Sequence, residues 1–451
     1  MINFTMIPTR ILLSCIVLFY CQSGIMAQNV TDNSTTRSDT LHYSSPGEVG
    51  LDSILLHVGI DSIINQALDS GAFPGCQILL AKEGKVFYHK SFGYHTYDSL
   101  RPVLPTDIYD IASITKIAAT TLALMKLYDE GKFDPDQSLG HYFPFLARSN
   151  KGHLTMRMIL AHQSGLKNWI PYHAESRKKN GRYRRKTIAA DSSESYPYRI
   201  PGSSLWMHKD YVQKKIYRMI KKSSLYEEQS YVYSGLVFYL LPELVERLSG
   251  SSFQDYLSEN FYQPLESQTM GFEPLKKFPA SRIVPTEIDT FFRMNLLHGV
   301  VHDEGAALML GVSGNAGLFS NAYDLAKVFQ LLIDSGSYGG KSYLRPETIL
   351  EFTRCQYCAL DNRRGMGFDK PLIKYDSIKT SVAKLASPES FGHSGYTGTL
   401  VWADPDNKLI FVFLANRVYP TRTNRKIYEL NIRPRIHDLV YNLIKEEKIS
   451  E

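Results

Sequence analysis

The chain has 451 residues, 43% of them hydrophobic and 21% charged, which excludes a disordered or fibrous polypeptide. A formal net charge of +6 is modest and implies no nucleic-acid partner. The length suits two or three average domains, or one large α/β enzyme carrying a helical insert.

In chain order, residues 1–27 read as a signal peptide. Arg10 precedes an apolar run from Ile11 to Cys21, and Met26-Ala27-Gln28 offers a cleavage boundary after Ala27. The run is shorter than the roughly 20 residues a membrane span needs, and no later stretch reaches that length without charges. The mature chain is therefore expected without a transmembrane anchor, exported to the periplasm or beyond the cell. A lipoprotein reading competes through Leu18-Phe19-Tyr20-Cys21, and the bulky Tyr20 before the cysteine counts against it. Residues 28–45 are rich in Ser, Thr, Asn and Asp with no apolar period, and read as a disordered leader. Residues 46–447 are then the folded body of the protein.

Ile60, Ile63, Ile64 and Leu68 recur at helical spacing and predict a helix over 55–68. Strands are predicted at 75–81 and 86–89, joined by the hairpin Lys82-Glu83-Gly84-Lys85. A mostly helical section follows from about Ile114 to Leu332. Two more strands, 398–403 and 409–414, flank the turn Asp404-Pro405-Asp406-Asn407. A terminal helix covers 434–445, with Pro434 in its first turn. Strands at both ends of a helical centre predict an α/β (α+β) fold. One antiparallel sheet is completed by both termini, flanked by terminal helices, and carries a large mainly helical insertion.

Two features lie outside that frame. The basic segment 177–186, with Tyr183 inside it, is a candidate contact for an anionic surface, set against a plain solvated loop. After export the cysteines are Cys76, Cys355 and Cys358, an odd number. Cys355 and Cys358 have CxxC spacing without the second pair a zinc site needs, so they are free thiols or one local disulfide at a helix end. No metal or other cofactor is expected.

The chemistry concentrates in three places. Ser113-Ile114-Thr115-Lys116 opens an apolar helix over 117–128, which puts the hydroxyl and the amine one turn apart on one face. A lysine buried there loses proton affinity and can take the serine proton. The same spacing at Ser176/Lys179 and Ser381/Lys384 lacks a following apolar helix. Tyr233-Ser234-Gly235 begins a second apolar helix running to Glu246, and a phenol there can serve as general base beside a cation. Tyr231 and His393 are the alternatives for that role. Finally, His393-Ser394-Gly395-Tyr396-Thr397-Gly398 leads into a strand, where glycine lets a ligand approach the backbone and a strand-edge N–H can help form an oxyanion hole.

In this order, SxxK, Tyr-Ser-x and His-x-Gly resemble the signature of the serine β-lactamase-like family. That family takes in class C β-lactamases, penicillin-binding D-alanyl-D-alanine carboxypeptidases, D-amino peptidases and esterases. The likeness extends from about Pro46 to Ile444. Leu160-Ala161-His162-Gln163-Ser164-Gly165-Leu166 resembles the family's Leu-x-His-x-Ser-Gly-Leu segment. Gly314-Asn315-Ala316-Gly317-Leu318-Phe319-Ser320 resembles its Gly-His-Ala-Gly-Leu-Phe-Ser segment, with Asn315 in place of the histidine. The resemblance implies Ser113 as nucleophile, Lys116 as its proton acceptor or electrostatic partner, and Tyr233 as general base. His393, Gly395 and Tyr396 would bind substrate, with the N–H groups of Ser113 and Tyr396 as the oxyanion hole. Gly235 departs from the usual asparagine or aspartate, which puts efficient β-lactam binding in doubt. Residues 299–304 also resemble a family segment, read as a structural loop or pocket wall rather than a metal site. The implied activity is hydrolysis of an ester or amide, a peptidoglycan-derived D-peptide being the natural exported substrate. β-Lactamase activity is the alternative within the class, and a non-catalytic penicillin-binding sensor the alternative outside it.

Overall fold

The computed structural model describes residues 40–227 and 230–450. The signal-peptide call, and the leader as far as residue 39, lie outside the described residues. Residues 40–45, the last six assigned to that leader, are described. His42–Tyr43 form a strand, β1, and Leu41 is buried beneath it. One short strand with a single buried leucine leaves no apolar period to read.

The hairpin 75–93 builds the centre of the sheet, as strands β2 (Gly75–Lys82) and β3 (Lys85–Gly93). Its turn residues Glu83 and Gly84 both have positive φ, 54° and 79°, which suits the right-handed twist of a tight hairpin. The C-terminal part adds β4 (Phe391–Ser394), β5 (Leu400–Asp404) and β6 (Leu409–Ala415). The six-stranded order is β1-β3-β2-β6-β5-β4. All pairs are antiparallel except β1 with β3. The two ends of the chain thus meet where β2 pairs with β6, from Leu409 opposite Lys82 to Ala415 opposite Cys76.

Both faces of this sheet are covered, so its strands read as continuous apolar runs and alternation shows only in which core each residue joins. Ile78, Leu80, Phe411 and Phe413 pack with Ile60, Ile64, Ile436 and Val440 of the terminal helices α1 (Ser53–Asp69) and α5 (Ile432–Ser450). Leu79, Ala81, Ile410 and Val412 point to the other face. There they join Leu122 and Leu124 of α2 (Leu122–Asp129) and Leu325 and Phe329 of α4 (Ala322–Ile333). That second core belongs to the insertion between β3 and β4. The insertion carries many short helices and also a three-stranded ribbon that the helical expectation did not include.

Two expected helix starts shift. The segment after Ser113 is a 3-10 turn (Ala112–Ile114) and a π-helical turn (Lys116–Thr121) before α2 proper. Tyr233 does not open a helix. Residues 230–235 form an irregular loop, a 3-10 turn follows at Val237–Tyr239, and α3 spans Leu241–Ser249. Pro242 in its first turn fixes that start, since proline has no N–H to give a preceding turn.

Candidate active site

The turn that carries Ser113 is held from both sides. Asp110, buried, accepts the Ala112 N–H at 2.8 Å and the His302 N–H at 2.7 Å. Ala112 has φ of 48°, a strained left-handed conformation, directly before Ser113. On the other side Thr397 donates its hydroxyl to the Asp110 carbonyl at 2.8 Å, and Thr399 to the Ile111 carbonyl at 3.2 Å. Gly395 lets this happen. A β-carbon there would lie 2.0 Å from Thr399 Oγ1 and 2.6 Å from the Ile111 carbonyl. The glycine of the His-x-Gly element thus serves close packing of the strand edge against the serine turn.

Lys116 is buried and donates to Ser113 Oγ at 3.2 Å and to the Asn315 carbonyl at 2.8 Å. Its ammonium stands 5.3 Å from the centre of the Tyr233 ring and 5.5 Å from that of Phe238. The Tyr233 hydroxyl is buried with no hydrogen-bond partner among the described residues. Serine, lysine and tyrosine, 120 positions apart in the chain at most, therefore meet in one corner. The decoy pairs do not: Ser176 gives its hydroxyl to the His173 carbonyl while Lys179 is exposed, and Lys384 is exposed beside Ser381.

The tyrosine loop hangs on His162. The His162 carbonyl accepts the Val232 N–H at 3.0 Å and its Nδ1 accepts the Ser234 N–H at 3.2 Å, pinning both neighbours of Tyr233. The imidazole lies 4.6 Å from the Tyr233 ring. Burial first, then Arg364 and Lys116, keep it uncharged, well below the usual histidine range. Arg364, also buried, places its guanidinium 5.2 Å from the same ring and faces Asp369 at 3.4 Å. Burial opposes ionisation of Asp369, but Arg364 and Arg363 together hold its carboxyl below its ordinary value.

A cavity of about 440 Å³ opens from Ser113 and Lys116 past Tyr233, Gly235, Asn315 and Tyr396, with Trp169 on its wall. It also takes in His302, Asp303, Glu304 and Arg422, so the last three residues of the segment 299–304 line the pocket. Arg422 is engaged twice there, by Glu287 through Nε at 2.8 Å and by Glu304 at 2.7 Å. His393 and Gly395, expected to touch substrate, stand behind the wall. His393 is 3% exposed, donates Nδ1–H to the Ser394 carbonyl at 2.7 Å, and packs 5.7 Å from the Tyr233 ring. Burial, then Arg364 and Lys116, push its pKa down to about 3. The reason is its position on β4, paired with Val401 and turned toward the tyrosine loop.

Gly235 and Asn315, the two departures from the family pattern, face each other. A β-carbon on Gly235 would lie 3.8 Å from the Asn315 β-carbon. The Asn315 amide is fixed there, accepting from Ser313 at 2.7 Å and donating to Tyr239 at 3.3 Å. His162 and Asn315 sat in segments the sequence had already singled out. Arg364 and Asp110 had no local signal, since burial is what gives each its weight.

The sheet closed by both termini, with a serine–lysine pair where the helical insertion meets its edge, defines the fold of the serine β-lactamases and DD-peptidases. The chain belongs to the Beta-lactamase family, which it matches over residues 60–432. An Escherichia coli (strain K12) protein provisionally named a D-alanyl-D-alanine carboxypeptidase is 31% identical over 411 residues, covering 85% of this chain and 87% of that one. Among solved structures, a penicillin-binding protein homologue from Caulobacter crescentus aligns with TM-score 0.60 at 19% identity, over 87% of this chain and 99% of its own. EstCE1, a hydrolase with promiscuous acyltransferase activity, aligns with TM-score 0.59 at 18% identity, over 85% and 98%. The protein is accordingly a serine hydrolase of β-lactamase/DD-peptidase type.

Proposed function

We propose that this protein is an exported hydrolase that takes the acyl group of an ester or amide onto Ser113 and releases it to water. The observation carrying the reading is the Lys116 ammonium within 3.2 Å of Ser113 Oγ, beside a Tyr233 phenol left without a partner. As Ser113 Oγ bonds to the substrate carbonyl carbon, its proton passes to whichever member of the Tyr233–Lys116 pair enters the step deprotonated, the Tyr233 phenolate or the Lys116 amine. Cations flanking the ring, Arg364 and a protonated Lys116, stabilise negative charge on the phenol oxygen before it takes that proton. The proton then goes to the leaving alcohol or amine, and the same pair later takes one from the water that frees the acyl group. The N–H groups of Ser113 and Tyr396 are the candidate oxyanion donors.

The cavity favours substrates without a carboxylate near the leaving group. His393 is uncharged, and Arg422 is already engaged by two glutamates with Asp303 beside it. That points to an uncharged ester, or to a cell-wall D-peptide amide whose scissile bond lies away from a terminal carboxylate; the D-alanyl-D-alanine terminus in the name of the Escherichia coli relative carries its carboxylate on the leaving group and suits this cavity less well. Efficient cephalosporin turnover is not expected. Among the described residues no helix is long and apolar enough to cross a membrane, and export rests on the first 27 residues of the sequence. The test is a panel of D-alanyl peptides, short-chain p-nitrophenyl esters and a chromogenic cephalosporin, with N-terminal sequencing of the secreted protein. Cephalosporin hydrolysis faster than every ester and peptide would replace this reading by β-lactamase, and no turnover or serine labelling at all would replace it by a binding protein.

A further inference from the structure

A second cavity, about 430 Å³, lies between the Cys355–Cys358 disulfide and the loop 370–389, and shares no lining residue with the cavity at Ser113. At its floor stands Lys370. The side chain is 94% buried, being 6% exposed, and its ammonium has no hydrogen-bond partner among the described residues. Taking an ammonium out of water without a hydrogen-bonded acceptor is unfavourable, so a lysine in this state is an incomplete contact. The nearest carboxylate, Glu389, is 3.8 Å away and itself 64% exposed. Asp406 and Asp404 also act on the lysine at longer range without hydrogen-bonding it; Asp406 is exposed, and the Asp404 oxygens are taken by Ser387, Asn407 and Tyr441.

The rest of the lining fits the same ligand chemistry. Arg354, Arg363 and Lys384 add three cations, so the cavity carries four positive side chains against the one carboxylate of Glu389. Arg363 is committed to Asp369 and to the Lys370 carbonyl, and Arg354 to Glu351. Lys370 is thus the floor cation without an acceptor. Beside these charges one stretch of the lining is apolar, Pro371, Leu372, Ile373 and Tyr375, and part of it is open to water: Ile373 is 54% exposed and Tyr375 42%. An apolar stretch beside a buried ammonium matches a molecule with a greasy body and one acidic end.

We propose that this cavity binds a monomeric amphiphilic monoanion, an aliphatic chain ending in a carboxylate, with the carboxylate on Lys370 and the chain against Leu372, Ile373 and Tyr375. The ammonium lies below the protein surface, so a detached chain reaches it and a headgroup held in a flat bilayer does not. The probe is decanoate, titrated calorimetrically into the full-length mature protein. We expect one site per chain, with decanol binding at least about tenfold more weakly, since a contact with a charged group is worth that much or more. Lys370→Met keeps the length and apolar stem of the side chain and should weaken decanoate by a similar factor. Ser113→Phe, which fills the other cavity, should leave decanoate binding unchanged. Equal affinity for decanol and decanoate overturns the proposal without needing any variant. So do full affinity in a folded Lys370→Met protein and loss of binding in Ser113→Phe.

Discussion

Gly235 and Asn315 offer the sharpest test of how this active site is built, because the two departures from the family pattern are one arrangement. The polar side chain that relatives carry at the position of Gly235 is absent, and the Asn315 amide stands against the space it would fill. An alanine-sized addition at Gly235 meets the Asn315 β-carbon at 3.8 Å, ordinary contact, so a β-carbon fits. The amide beyond it does not fit freely, because Asn315 is anchored by Ser313 and Tyr239. One neutral polar contact to substrate is worth about 0.5–1.5 kcal/mol, or roughly two- to tenfold in kcal-to-rate terms. Asn315→Ala should therefore lower kcat/KM by about two- to tenfold while keeping the backbone carbonyl that receives Lys116. Gly235→Asn alone should change it by less than about threefold, its gain cancelled by crowding. In the Asn315→Ala background the same substitution should recover most of the loss. The assay is kcat/KM on the best ester or peptide, with the rate of Ser113 acylation by penicillin beside it, through the full double-mutant cycle. Additivity within about 0.5 kcal/mol would refute the shared-space argument. So would a large gain in penicillin acylation from Gly235→Asn alone.

Further outcomes follow from the same geometry. A fluorophosphonate or penicillin adduct should map by mass spectrometry to Ser113 and vanish in Ser113→Ala, whereas Ser176→Ala and Ser381→Ala should label normally. Tyr233→Phe and Lys116→Ala should each lower kcat by about 10²-fold or more, and the double variant by little beyond either, since both act on one proton path. His162→Ala should lower kcat with a smaller change in KM, because it frees the Ser234 N–H and removes the ring packed on Tyr233 while the backbone carbonyl still holds Val232, and near-normal turnover would show that the tyrosine loop is held by other contacts. Acid should unfold the protein early. His393 and His437 are pushed down to about 3 by burial, and His162 lies well below its ordinary range, so the folded state leaves all three unprotonated where the unfolded chain protonates them. Stability from these groups is complete above about pH 6.5 and falls as pH drops toward 3, at roughly 1.4 kcal/mol per pH unit for each. Urea unfolding at pH 5.5 and 4.5 should show about 3 kcal/mol lost through His393 and His437, with His162 acting in the same direction, and an unchanged midpoint would refute the buried-neutral assignment.

What could be read without coordinates was whatever the chain writes locally. Ser113 and Lys116 are one turn apart in sequence, and an apolar helix after them already separates them from Ser176/Lys179 and Ser381/Lys384. The paired hairpins over 75–93 and 400–415 show as apolar runs around turn residues, and a covered sheet needs nothing more. The functional partners were harder in proportion to their sequence distance. Arg364 gains its weight from standing under a ring 131 positions earlier, and no spacing rule reaches that far. His393 shows the opposite error. Its motif was legible, but motif order says nothing about which side of a strand faces the ligand, and the strand register turns the imidazole inward onto Tyr233. The His-x-Gly element here consequently packs against Tyr233 and the serine turn, through His393 and Gly395 respectively. On the proposed mechanism, polar selection of the substrate falls instead to Asn315 and to the wall of His302, Asp303, Glu304 and Arg422. On that proposal the chain keeps the nucleophile and its proton path, moves its recognition groups to other elements, and so keeps the reaction while changing what undergoes it.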